Sequence, residues 1–454
     1  MITPVPASTP ERGWLDRFAA AIAHLVPDAI TASVILLIVL VGAALAIGDS
    51  PMKVMDAYYR GLWTLLPFTM QMTLIVVLSS ALAQTPLFRM VVARLAAIPA
   101  SALSMVAAPV LLNAVAAYFY WGLSVALAPV IAVFFARQAE RKGIAIDFPL
   151  YLATISASTA VWQFGLSATA PLLIATPGHF LQGLIGVVPL TRTIWTPAAV
   201  LHISLFVAAV IVTGFRLMPR DPRPISCFPE SAKLAEAEPA DSAVPVTYSE
   251  RLERKPWFTF VLCAVLTGWL WYHFAVKAGG VELNVLTTSL FLFSFLLHGN
   301  FKSFTRAVEK AVGSAWPVLV LYHLYAGLAG LIQFTNLGDR VAWMAAAVSN
   351  RYTYPALTAV ISSVFAFFIP SSGGQWAIQG FVTVKSALAV GVSPERGMLA
   401  LSLGDHMGNF LSPFWYVVTA GIVRLDFRAF FGYGLVFGVL WFAIGLVVFT
   451  FAPC

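Results

Sequence analysis

The chain has 454 residues, of which 60% are hydrophobic and 10% charged. Soluble domains carry roughly 25% charged residues, so this composition excludes a water-soluble globular protein and indicates an integral membrane protein. The net charge of +7 does not point to nucleic acid, because the basic residues sit in short loops between apolar runs, as in proteins anchored to anionic lipid.

The N-terminus, "MITPVPASTPERGWLDRF", has prolines and acids where a signal peptide needs a basic n-region. The first apolar run, from Pro27, is too long for an h-region and reads as a retained span. A bilayer crossing needs about 20 apolar residues. Full spans are expected at 27–48, 62–83, 148–177, 194–217, 256–276, 283–298, 315–335, 396–421 and 429–452. Two further apolar segments, 100–138 and 354–391, break at their centres, one at "YFYWGLS" and the other at "IPSSGGQ". Their arms read as 15–18 residues, short for a crossing, so each is expected to be a re-entrant helical hairpin. The polar segment 218–255 holds six prolines and reads as a flexible linker. The three cysteines, Cys227, Cys263 and Cys454, are far apart and indicate neither a disulfide frame nor a metal site.

The two halves resemble each other. The stretch 61–91 aligns with 313–343, and the broken segment 100–138 with 354–391. Each is followed by a span with polar residues at its middle, "ATISASTAVWQFGLSATAPLLIA" (153–175) and "LALSLGDHMGNFLSPFWYVVTAG" (399–421). The expected fold is therefore all-α and polytopic, with a first repeat over 1–217, a linker over 218–255, a connecting span at 256–276 and a second repeat over 277–454. The extra span inverts the second repeat. Loop charge supports this topology: 19 of the 27 Lys and Arg fall on the side of the N-terminus and linker. Without the linker the split is still 12 to 8. The positive-inside rule places that side in the cytoplasm and the C-terminus outside.

Broken helices at membrane depth survive only where they face protein or a water-filled site. Four breaks paired by inverted symmetry form the pattern of a secondary transporter with its site at the repeat interface. A half-helix N-terminus offers free N–H donors and partial positive charge. In "PSSGGQW", Gly373 and Gly374 would let backbone approach a ligand, while Ser371 and Ser372 cap the second arm and could donate to a carboxylate. The alternative is that small residues here serve only tight helix packing.

Asp405 lies within a span, where a charge costs about 2.5–3.5 kcal/mol, so ion coupling through it is the default reading. A structural pair with His323 is the alternative. His406 and Asn409 flank it, and Pro413 restarts the helix. Gln163 would approach from the symmetry-related span if the repeats meet at midplane. Trp121, Gly122, Trp162, Gln163 and Ser167 line the first repeat's breaks. His202 and His323 read as satisfied core histidines.

The motifs "PSSGGQWAIQG", "APLLIATPG" (170–178), "LYAG" (324–327) and "FWYV" after "GDHMGN" together resemble the bacterial short-chain fatty acid transporters, the acetoacetate and butyrate uptake permeases. The resemblance covers nearly the whole chain. It implies uptake of a small monocarboxylate across the inner membrane and kinship with the ion-transporter superfamily, often elevator-type homodimers. The expected substrate contacts are Ser371, Ser372, Gly373, Gly374, Gln375, Trp121, Gly122, Gln163, Ser167 and Asn409, with Asp405 and His406 for ion coupling. The family pattern usually reads P-S-G-G-G-H-W, and Glu-Gln where this chain has Asp405-His406. Ser372, Gln375, Asp405 and His406 depart from it, which bears on the substrate and on the coupling ion, H+ or Na+.

Rival classes are weaker. There is no HExxH, no GxSxG elbow and no GxxxxGK[ST] loop, so neither a hydrolase nor an ATP-driven pump is indicated, and no cofactor is expected. A cation/proton antiporter on the same scaffold, or a transporter of another small organic anion, is the remaining alternative.

Overall fold

The protein is described from a computed structural model over residues 29–235, 247–313 and 315–452. The N-terminal leader, Asp28, Cys454 and linker residues 236–246 lie outside the described residues. All described regular structure is helical.

In chain order the first elements are α1 (Ala29–Ala46), α2 (Pro51–Thr64), α3 (Leu66–Ala83), α4 (Pro86–Ala96), α5 (Ala102–Phe119) and α6 (Trp121–Arg141). There follow α7 (Phe148–Ala157), a 3₁₀ segment (Ser158–Phe164), α8 (Thr169–Ile174) and α9 (Pro197–Arg216). After the linker come α10 (Pro256–Trp271), α11 (Leu283–His298), α12 (Phe301–Val312), α13 (Trp316–Phe334), α14 (Leu337–Ala347), α15 (Tyr354–Phe368), α16 (Ser372–Ala389), α17 (Pro394–Leu411), α18 (Phe414–Val423) and α19 (Arg428–Phe451). The order long, short, long, short, two-armed, broken, long thus occurs on both sides of α10. Among the described residues seven helices are long and apolar enough to cross a membrane, including α3, α9, α13 and α19 and the stretch Pro256–Val276.

Side-chain caps start many of these helices. Ser50, Asp147, Thr196, Asn300, Ser371 and Ser393 each accept a first-turn backbone N–H, which satisfies donors that would otherwise be orphaned. Prolines set several stops. α15 ends before Pro370, and Ser412 is extended ahead of Pro413, because the residue before a proline is driven out of the helical region.

Both interrupted segments fold back on themselves. In the first, Lys142 Nζ donates to the Pro99 carbonyl at 2.7 Å, so the two ends meet while the chain turns at Tyr120. In the second, the Tyr354 hydroxyl donates to the Thr383 carbonyl at 2.7 Å. The arms of the first hairpin, α5 and α6, have 18 and 21 residues and qualify as crossing helices by length and hydropathy. α5 is at the upper end of the sequence reading and α6 exceeds it, because the break takes only Tyr120 instead of the whole of "YFYWGLS". The second hairpin keeps arms of 15 and 18 residues.

The loops read as 84–100 and 299–314 carry helices α4 and α12. α12, "FKSFTRAVEKAV", spaces its apolar residues at three and four, the period that gives a helix one apolar face.

The linker is not free along its whole length. Ile225 is buried, the Phe228 ring packs on Phe148, and the Ser231 hydroxyl donates to the Val423 carbonyl. Prolines made this stretch look like a spacer, but Ile225 and Phe228 supply apolar surface that the bundle covers. Its anchor is Asp147, which caps α7 through Leu150 N–H at 3.1 Å and takes Arg223 Nε at 2.9 Å. Hydrogen bonding to Asp147 holds the Arg223 guanidinium above its ordinary value. Losing a cap costs about 1 kcal/mol and a charged hydrogen bond about 1.5–3 kcal/mol. Asp147→Ala should therefore lower the melting temperature in detergent by several degrees, and Asp147→Asn, which keeps the cap, by less. Equal melting of all three proteins would show that this anchor contributes nothing.

Candidate functional site

The tips of both hairpins and both helix breaks converge. At the first tip, Trp121 N–H donates to Ser167 Oγ at 2.9 Å and Leu166 N–H to the Tyr118 carbonyl at 2.7 Å. The segment after the 3₁₀ turn therefore clamps the hairpin at its one-residue break. Ser167 spends its hydroxyl on this clamp. Gly122 faces Ser79: a Cβ there would lie 3.0 Å from the Ser79 Cβ.

Gln163 ends the 3₁₀ segment and reaches across to the other half of the chain. Its Nε2 lies 2.8 Å from Asp405 Oδ2, 3.0 Å from the Ser402 carbonyl and 3.2 Å from Ser372 Oγ. One amide thus ties the first broken span to the second and to the second hairpin's tip. Asp405 is fully buried, and among the described residues no Lys, Arg or His is paired with it. Its Oδ1, like Gln163 Oε1, has no hydrogen-bond partner among the described residues. Buried polar atoms normally find partners, so these two acceptors, on side chains joined by a hydrogen bond, are open to a donor or a cation.

The remaining residues form the wall. Asn409 Nδ2 donates to the Asp405 carbonyl, and its Oδ1 accepts from Trp415 Nε1, both at 2.9 Å. Trp121 packs on Trp162 at 5.9 Å and edge-on to Trp415 at 6.4 Å. His406 turns away from Asp405 and packs among Trp162, Phe410 and Trp441.

Several sequence expectations change here. Asp405 does not pair with His323, which packs edge-on against Trp63 at 5.2 Å. His202 is not a satisfied histidine: both ring nitrogens lack partners among the described residues, inside a box of Phe164, Phe206, Trp441 and Phe449. Gln375 points between the hairpin arms, donating to the Ser362 carbonyl at 2.8 Å, so it holds the hairpin together. Gly374 serves packing: a Cβ there would sit 2.2 Å from the Tyr325 ring, while one at Gly373 would sit 2.7 Å from the Tyr322 hydroxyl. Rings of α13 thus pack against the Cα faces of both glycines. Ser371 caps α16 and donates to the Tyr322 hydroxyl at 3.1 Å.

Sequence reasoning did not single out Tyr322, Tyr325 or Trp415, although "LYAG" and "FWYV" contain two of them. It also passed over Gly404 and Gly408, a Gly-x₃-Gly spacing that lets α17 lie on the backbone of α15: Cβ atoms there would meet the Ala359 and Ser363 carbonyls at 2.0 and 2.5 Å.

Known proteins share both the sequence and the fold. A protein of Escherichia coli strain K12 named as a candidate short-chain fatty acid transporter is 28% identical over 449 residues, covering 96% of this chain and all of its own. A protein of Haemophilus influenzae with the same name is 27% identical, covering 94% of this chain and 97% of its own. Two solved structures share the fold at low identity. The Alcanivorax borkumensis YdaH transporter, noted for an unusual topology, has a TM-score of 0.58 at 16% identity and covers 93% of this chain and 97% of its own. Neisseria gonorrhoeae MtrF, described as illuminating a class of antimetabolite efflux pumps, has a TM-score of 0.56 at 15% identity and covers 97% of both chains. The family model described as short chain fatty acid transporter matches residues 14–451, and the chain belongs to that family.

Proposed function

We propose that the protein is a secondary active transporter that takes up short-chain fatty acids or related small monocarboxylates across the bacterial inner membrane, coupled to H+ or Na+. The observation that carries this reading is the buried Oδ1 of Asp405, without a partner among the described residues, where α17 meets the 3₁₀ break of the first half and the second hairpin's tip. The N–H groups of Ser372 and Gly373, ahead of the Ser371-capped Gly374, have no intrahelical acceptors and suit a carboxylate. A substrate carboxylate beside ionised Asp405 would set two like charges together in a low dielectric, which is strongly unfavourable. A proton or sodium ion on Asp405 removes that repulsion. Cation first, anion second is the order of binding this geometry favours, and it makes transport coupled.

The recurring element order around α10 supports inverted repeats that meet at this cluster. The hairpins and broken helices then form the group that moves, elevator-fashion, against α1–α3 and α11–α13, in a homodimer. No residue set in it argues for catalysis. In this topology the linker is cytoplasmic. In a Cys454→Ser background, Cys227, exposed in the linker, should react in intact cells with a permeant maleimide and not with an impermeant one. Labelling by the impermeant reagent would overturn the topology.

Uptake of labelled butyrate and acetoacetate into proteoliposomes, with and without sodium and pH gradients, tests the function. Accumulation that follows one gradient is expected. Cation–proton exchange without carboxylate movement would make the protein an antiporter, and accumulation only under the reversed gradient would make it an exporter.

A further inference from the structure

A cavity of about 720 Å³ lies between α3, α6 and α12. Four cationic side chains line it, Arg254, Lys302, Arg306 and Lys310, and no Asp or Glu does. Glu250 and Glu253 stand behind it, 3.9 and 3.7 Å from Lys302, and offset part of this charge without entering the lining. Arg254 Nε has no partner among the described residues. The opposite wall is apolar, formed by Leu127 and Val130 of α6 and by Ile422. A cationic rim over an apolar wall matches an anion with a short hydrocarbon tail.

Position relates this cavity to the central cluster. Leu127 and Val130 lie six and nine residues beyond Trp121 on one continuous helix, which is about 9 to 14 Å along its axis. Ser80 lines the cavity, and its neighbour Ser79 is the residue that meets Gly122 at the first hairpin's tip. Ser79 Oγ is fully buried and without a partner among the described residues. The Ser79–Gly122 contact thus lies between the cavity-lining Ser80 and the tryptophan-lined tip.

We propose that this cavity is a vestibule that holds a small carboxylate on the linker side, before it enters or after it leaves the Gln163–Ser372–Asp405 cluster. The proposal rests on the transport reading above. Its walls come from three protein elements, including the hairpin arm that carries the tip, which favours the transported anion over a lipid headgroup as occupant. Cationic clefts raise the local concentration of an anion and speed its capture.

The test is Arg306→Gln/Lys310→Gln in the full chain, with liposome orientation fixed through Cys227 in a Cys454→Ser background. The KM for butyrate presented on the linker side should rise about tenfold, an effect of the size that focused charge supplies. KM from the other side and kcat should hold, and Arg306→Lys/Lys310→Arg should restore the wild-type value. An unchanged linker-side KM in a protein that transports butyrate overturns the vestibule. So does an effect confined to vesicles containing phosphatidylglycerol and absent in phosphatidylcholine, which would identify a lipid site. If the wild type moves no carboxylate, the transport reading falls separately, and butyrate binding to the detergent-solubilised protein by saturation-transfer NMR decides. Binding lost in the double variant upholds the anion site, and equal binding overturns it.

Discussion

Asp405→Asn should abolish concentrative uptake while leaving carboxylate exchange in place. The substitution keeps the shape of the side chain and an oxygen for Gln163 Nε2, now 2.8 Å from Oδ2, so the contact between the two broken spans survives. It removes the charge that a proton or sodium ion would compensate. Moving one negative charge inward against 100 mV costs about 2.3 kcal/mol, equivalent to roughly a fiftyfold gradient. Without a co-transported cation the variant should therefore not concentrate a monocarboxylate above its electrochemical equilibrium. Counterflow of labelled butyrate against unlabelled butyrate, which needs no net charge movement, should persist. Wild-type accumulation by the variant, still driven by the ion gradient, would place coupling elsewhere and reduce Asp405 to a structural group.

The largest stability effect is expected at Gly404. A Cβ there would lie 2.0 Å from the Ala359 carbonyl oxygen and 2.7 Å from its carbon. Both are backbone atoms of α15, so relief requires moving the hairpin off α17. Overpacking of this kind costs about 1–3 kcal/mol, and more when backbone must shift. Gly404→Val is expected to leave little monodisperse protein after detergent extraction, and Gly404→Ala to melt several degrees early. Gly421 has nothing within 4 Å of its would-be Cβ, so Gly421→Ala serves as the control and should melt at or slightly above the wild-type temperature, since alanine restricts the unfolded chain. If Gly404→Ala melts with the wild type, the close approach of α15 and α17 is dispensable.

What the sequence could show, and what it could not, follows from range. Breaks were legible because polar and small residues inside apolar runs have few other uses, and Gln163 could be matched to Asp405 because the halves align. Contacts made by residues with no anomaly of their own were not legible. Tyr322 and Tyr325 read as ordinary apolar positions of α13, yet they fill the space beside Gly373 and Gly374. Ring packing is thus a reason for the glycines that the sequence did not show. Gln375 looked like a ligand group, but only the fold shows that Ser362, thirteen residues earlier, takes its amide. The docking of the linker's Ile225 and Phe228 was hidden by the prolines around them. His202 illustrates the same limit: a lone histidine in an apolar helix says nothing about whether its nitrogens find partners.

The chain's two halves are interlocked. Gln163 from the first half binds Asp405 and Ser372 from the second, and Phe164 stacks on Trp441 at 5.5 Å. α19 packs against both α7 and α9. Neither half can bury its polar break or its aromatic face by itself, whereas the covalent path between them is the proline-rich segment 218–255. Continuity of the polypeptide is therefore far less important to this protein than simultaneous presence of both parts. A gene cut within codons 236–246 should yield two inert fragments when expressed apart and a working transporter by fragment complementation when they are made together.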